Sequence, residues 1–150
     1  MISINNRQRK VRINLKKLSS DAHKALELLR YTNFDLGILI TTNATIKKYN
    51  AAYRHKNKPT DILSFPFYPD LKPGQRIKSK TDDDENLGDI IISAEYVAKQ
   101  AKETDINFDE RMRELLVHGL FHLLGYDHLT DQQYEQMQRK ELWLLKKLTS

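Results

Sequence analysis

Residues 108–124 are so densely apolar that a helix there has to be buried nearly all round. This constrains the fold more than any other stretch, because other elements have to enclose such a helix. Two short β-rich runs can do so. Residues 35–42 (DLGILITT) read as a buried strand, and residues 87–93 (LGDIIIS) as a strongly β-branched one. Residues 61–67 (DILSFPF) look extended, with Pro66 marking an edge or a strand end.

Helices alternate with these strands. Residues 19–31 open on Ser19, Ser20 and Asp21, a capping signal, and carry Ala22, Ala25, Leu26 and Leu29 at helical spacing. Asn43 is placed to cap a helix bearing Ile46, Tyr49, Asn50 and Tyr53, and Pro59 breaks the chain beyond it. Ser93 begins a helix with Ala94, Val97, Ala98 and Ala101 on its apolar stripe. Residues 131–148 form the last helix, with Tyr134, Met137, Leu144, Leu145 and Leu148 roughly on one side. The alternating Val11, Ile13 and Leu15 suit a strand within the first fifteen residues. Residues 69–86, with two prolines, a glycine and many charges, are expected to be a mobile loop. The 150 residues therefore predict one compact α/β (α+β) domain, 1–150, in which a mixed sheet of about four strands packs with about five helices. The absence of cysteine excludes disulfides and thiolate metal sites and fits a reducing cytoplasm. No stretch is long and apolar enough to span a bilayer, so a soluble, cytoplasmic protein with no membrane partner is expected.

The segment HGLFHLLGYDH, residues 118–128, carries the chemistry. His118 and His122 stand at i and i+4, so their rings project from one helix face a turn apart. Gly125 ends the helix and can take a positive φ, turning the chain so that His128 comes back to the same point. Three imidazoles with an open fourth position describe a catalytic zinc site at the end of helix 108–124. His23, on a surface helix, and His55, in a basic loop, are explained by hydration. The spacing H-x-x-x-H-x-x-G-x-x-H is also that of the metzincin proteases. Those enzymes place a glutamate base after the first histidine, where this chain has Gly119.

HGLFHLLGYDH resembles the signature of the YbeY family of rRNA maturation endoribonucleases, H-G-x-L-H-L-x-G-Y-D-H, with Phe121 at a position where that family commonly has Leu. NAAYRHKNKPTDILSFPF, residues 50–67, resembles the family's N-x-x-Y-R-x-K-D-x-P-T-D-V-L-S-F-P, with Asn57 in place of Asp. LGDIIIS resembles its L-G-D-I-x-I-S. The blocks stand in family order across residues 50–128. The resemblance implies a four-stranded α/β domain, one zinc ion on His118, His122 and His128, and cleavage of single-stranded RNA. It further implies a role in maturing the 3′ end of small-subunit rRNA and in ribosome quality control in the bacterial cytoplasm. RNA and the ribosome or its small subunit are the partners expected, and DNA is not.

Within that reading, Arg54 is the candidate to stabilise charge on a phosphoryl group, since a guanidinium is permanently charged and bonds two oxygens at once. Lys56 and Lys58 are candidates for phosphate contacts. Asp127 either orients a ligand imidazole or caps the turn before the last helix. Asp89 has the same two readings, as an imidazole partner or a strand-end hydrogen bond. Ser64 is read as structural, and Tyr126 and Phe65 as core aromatics rather than base-stacking ones. The net charge of +5 is modest, but residues 1–20 and 36–60 carry cations and no acid, which predicts a positive face bordering the metal cleft. Two further readings remain: a metzincin-like zinc protease, and a non-catalytic rRNA-binding assembly factor whose zinc only stabilises the fold.

Overall fold

The computed structural model describes residues 1–150. Its elements, in chain order, are β1 (Ile2–Asn6), α1 (Leu15–Leu28), β2 (Asp35–Thr41), α2 (Asn43–Arg54), β3 (Ile62–Pro66), a short 3-10 turn at Asp82–Asp84, β4 (Asn86–Ser93), α3 (Ala94–Thr104), α4 (Phe108–Leu123) and α5 (Asp131–Thr149). The sheet has the order β1-β2-β4-β3. β1, β2 and β4 run parallel, and β3 is an antiparallel edge strand paired to β4. The mixed four-stranded sheet with five helices is the architecture expected from the sequence.

The sheet has two unequal faces. Leu36, Ile38 and Ile40 of β2 and Ile90 and Ile92 of β4 meet the buried residues of α1, α3, α4 and α5 in one core. On the other face α2 alone packs, through Ile46, against Leu63 and Ile91. The period-two pattern of the strands sorts residues between these faces. From Arg111 to Leu123 no residue of α4 is exposed, as its apolar density requires. The Arg113 guanidinium, unable to reach bulk water freely, donates to both Asp21 carboxylate oxygens at 3.0 and 3.2 Å.

Several boundaries differ from the sequence reading. The strand expected within the first fifteen residues is Ile2–Asn6, ahead of the alternating Val11–Leu15 stretch. The Gln8 side chain bonds both backbone groups of Val11, at 2.9 and 2.8 Å, and closes a loop there. Helix α1 starts at Leu15 with Asn14 as its cap, because the would-be cap Asp21 is taken by Arg113 inside the helix. Thr42, not Asn43, caps α2. Asn43 instead accepts from the Ser93 hydroxyl at 2.7 Å, joining the ends of β2 and β4. Tyr134 lies exposed, so the buried stripe of α5 is Met137, Leu144 and Leu148. The 69–86 segment, expected to be mobile, is pinned. Ile77 is buried, the Tyr68 hydroxyl donates to Asp84 O at 2.5 Å, and the Arg76 guanidinium lies 3.9 Å over the Tyr31 ring while bonding the Leu29 and Arg30 carbonyls.

The Asp21–Arg113 pair joins α1 to α4, and removing one partner leaves the other charged and half-enclosed. Asp21→Ala should lower unfolding stability by about 3 kcal/mol, read from urea denaturation followed by circular dichroism. A loss below about 0.5 kcal/mol would show that the pair behaves as an ordinary surface ion pair.

Candidate metal centre

α4 delivers His118 and His122 one turn apart, and the chain leaves the helix at Leu124. Gly125 has φ +94°, and a Cβ there would sit 2.1 Å from the Leu71 carbonyl oxygen. Both the backbone conformation and the close approach of the 68–76 loop therefore require glycine. The turn carries His128 back beside the other two rings. Ring centroids are 4.5 Å (118–122), 5.0 Å (122–128) and 5.6 Å (118–128) apart. One nitrogen from each ring lies within 4.8 Å of the others, a grouping able to hold a metal ion.

The outer nitrogens decide what the inner ones can do. His118 Nδ1 lies 3.2 Å from Glu141 Oε2, and His122 Nδ1 lies 2.9 Å from the Tyr126 carbonyl oxygen. A carboxylate and a carbonyl only accept, so these contacts favour the tautomers that carry the proton on Nδ1 and turn Nε2 to the site. Those Nε2 atoms face each other at 3.0 Å. In those tautomers two lone pairs meet there, an arrangement that a shared cation relieves, and this donor set suits zinc. Burial, and then the neighbouring His118 and His128, push the His122 pKa down to about 4, so this ring is neutral and ready to ligate at pH 7.

The three histidines line one end of a cleft of about 700 Å³. Its other walls are residues 60–66, which end in β3, the 69–71 loop and the end of α2 with Tyr53 and Arg54. Arg54 is the last residue of α2 rather than part of the loop beyond it, and its C-cap, His55, takes the left-handed conformation at φ 58°. None of the ion pairs in the chain uses Arg54. The turn after it is held from below. Asn50 Nδ2 donates to Lys58 O at 2.9 Å, and the Asp61 carboxylate accepts from Gln100 at 3.1 Å and Arg111 at 3.2 Å. Lys56 and Lys58 are exposed on that turn, outside the residues lining the cleft.

Asp127 accepts from the backbone N–H of His128 at 2.8 Å, inside the turn. The imidazole partner is Glu141, which the sequence reading missed. Asp89 lies on the opposite face of the sheet, its Oδ1 occupying the space a Cβ on Gly37 would need, and so is turned away from the histidines. Ser64 lines the cleft. Tyr126 is a core aromatic, packed edge-on against Phe121, and Phe65 packs edge-on against the exposed Tyr53 at the cleft wall. The basic N-terminal segment does not border this cleft: β1 is the edge strand opposite β3, and Lys10 pairs with Glu95. Of the cations in residues 36–60, Arg54 alone lines it.

Fold and site together define an α+β domain with an open three-histidine centre at a helix end. A family model described as "Endoribonuclease YbeY" matches residues 3–149. A human endoribonuclease YbeY is 39% identical over 145 residues, covering 97% of this chain and 86% of its own length. The Aquifex aeolicus endoribonuclease YbeY is 38% identical, covering 95% of this chain and 88% of its own length. The solution structure of a Thermotoga maritima protein superposes with a TM-score of 0.65 at 24% identity, covering 99% and 89% of the two chains, and shares the fold. The chain belongs to the YbeY family of endoribonucleases.

His122 should be the ligand that the site can least do without, because its ring lies closer to each of the other two than they lie to one another. His122→Ala should abolish one-to-one zinc binding by calorimetry and leave the far-ultraviolet circular dichroism unchanged. Equally tight stoichiometric binding by that variant would refute the ligand assignment.

Proposed function

We propose that this chain is a zinc-dependent endoribonuclease that cleaves single-stranded RNA, acting in the cytoplasm on small-subunit rRNA in 3′-end maturation and ribosome quality control. The observation that carries the reading is the convergence of three histidine nitrogens at the mouth of a cleft whose far wall ends in an unpaired arginine. Family membership supports RNA as the substrate, and the three-imidazole donor set supports zinc. His118, His122 and His128 would hold the ion, which when bound supplies Lewis-acid polarisation of a phosphoryl oxygen and activation of water.

The chain's own residues supply the remainder. The Arg54 guanidinium is free to bond two non-bridging phosphate oxygens, where negative charge grows in the transition state. Lys56 and Lys58, on the exposed turn beyond it, would hold phosphates flanking the cleft by charge alone. Asp127 and the Tyr126 carbonyl keep the His128 turn and the His122 ring in place.

The two other readings fit less well. A protease base at position 119 has nowhere to act, because Gly119 faces the sheet: a Cβ there would lie 2.9 Å from Ile90 Cδ1 and 3.0 Å from Ile62 Cδ1. A purely structural zinc would be closed by a fourth protein ligand, whereas this centre offers three and has His128 exposed at the cleft.

The test is cleavage of an end-labelled RNA in single-stranded and duplex form by metal-stripped protein, with and without one equivalent of zinc, beside a casein digest. Cleavage confined to the single strand and restored by zinc is expected. Zinc binding without RNA cleavage would favour the assembly factor, and casein hydrolysis the protease.

Arg54→Lys keeps the charge and loses the two-pronged geometry. It should retain zinc and most RNA affinity while single-turnover cleavage at saturating enzyme slows on the order of a hundredfold. A normal rate with weaker binding would make Arg54 a docking residue instead.

A further inference from the structure

On α5 the buried side chains are Met137, Leu144 and Leu148. By spacing, two positions between the first two fit the same stripe, Lys140 and Glu141; Lys140 is exposed, and the partly buried position on the stripe holds Glu141. A leucine there would continue the apolar face, and a carboxylate so placed carries a desolvation cost that only a specific partner offsets. Its one partner in the chain is His118 Nδ1, at 3.2 Å, with both side chains about three-quarters enclosed, 27% and 22% exposed. No lysine or arginine competes for it among the ion pairs of the chain. His122 obtains the same service from a backbone carbonyl within its own turn, but His118, further up the helix, has no free carbonyl to use.

We propose that Glu141 is the positioning residue of the metal centre: by accepting the Nδ1 proton of His118 it fixes the tautomer and ring plane that aim Nε2 at the metal, and so makes metal affinity depend on the docking of α5. This rests on the three histidines being a metal site. Charge donated through the ring also makes His118 a more basic ligand.

The experiment uses the full chain and zinc itself, with affinity read by competition against a chromophoric chelator. Glu141→Leu fills the apolar stripe, so its urea midpoint should equal or exceed that of the wild type while zinc affinity falls about 10–100-fold, the scale seen when a ligand's outer partner is lost. Glu141→Gln, whose amide oxygen still accepts from Nδ1, should lose less. Long-range ¹⁵N–¹H spectra of the metal-free protein should show His118 protonated on Nδ1 in the wild type and as a mixture of tautomers in Glu141→Leu. Unchanged zinc affinity and tautomer in Glu141→Leu would overturn the proposal and leave the metal centre standing. Should Glu141→Leu fail to fold, Glu141→Gln decides: weaker zinc binding at an unchanged urea midpoint supports the proposal, and unchanged affinity overturns it. A wild type that binds no zinc would instead overturn the metal reading, and this proposal with it.

Discussion

The close packing of α4 on the β3–β4 edge of the sheet is the contact on which the rest of the structure depends. Gly119 makes it possible, because any side chain there would meet Ile62 and Ile90 at or inside van der Waals distance. With that side of the helix pressed to the sheet, His118 and His122 turn toward the gap between α4 and β3. β3 is the antiparallel edge strand, so no further strand covers the gap, and it stays open as the cleft. The same glycine that lets the helix approach therefore also excludes a glutamate base from the position where a metzincin carries one.

Around the histidines the structure does in advance what a metal would otherwise have to enforce. Each helix ring has its outer nitrogen occupied by an acceptor, one a carbonyl just past the end of the same helix and one a carboxylate from another helix. In the tautomers these contacts favour, the protons lie outside and the lone pairs inside, where a bound cation would relieve their repulsion. Gly125 contributes through conformation, since only its positive φ brings His128 around while the 68–76 loop lies against the turn. That loop is in turn fastened to Tyr31 and the end of α1, so the far side of the domain supports the centre through Arg76.

Local signals were legible where short-range physics sets the outcome. The β-branched runs of β2 and β4, the apolar α4, the extent of α5 and the i, i+4, i+10 histidines all follow from periodicity and from glycine at a turn. At the misread boundaries a side-chain hydrogen bond outcompetes the local backbone pattern. Ser19, Ser20 and Asp21 form a good local cap, yet Asp21 gains more from Arg113, 92 residues away, and the helix starts a turn earlier at Asn14. Val11 and Ile13 alternate like a strand, yet Gln8 closes the backbone on itself before a strand can pair.

The sequence by itself determined that three imidazoles can meet, because a helix of about 3.6 residues per turn with a glycine at its end leaves them little else to do. It also places glycine at position 119, where the metzincin pattern has its glutamate base. Only the tertiary structure decided that Arg54 shares the cleft while Lys56, Lys58 and the basic N-terminus stay outside it, and that Asp89 faces away. Only it could set Glu141 against His118, across two helices and 23 positions. These are matters of which faces meet, and they are fixed by how helices pack on a sheet, a long-range balance of shape and burial that no local pattern encodes.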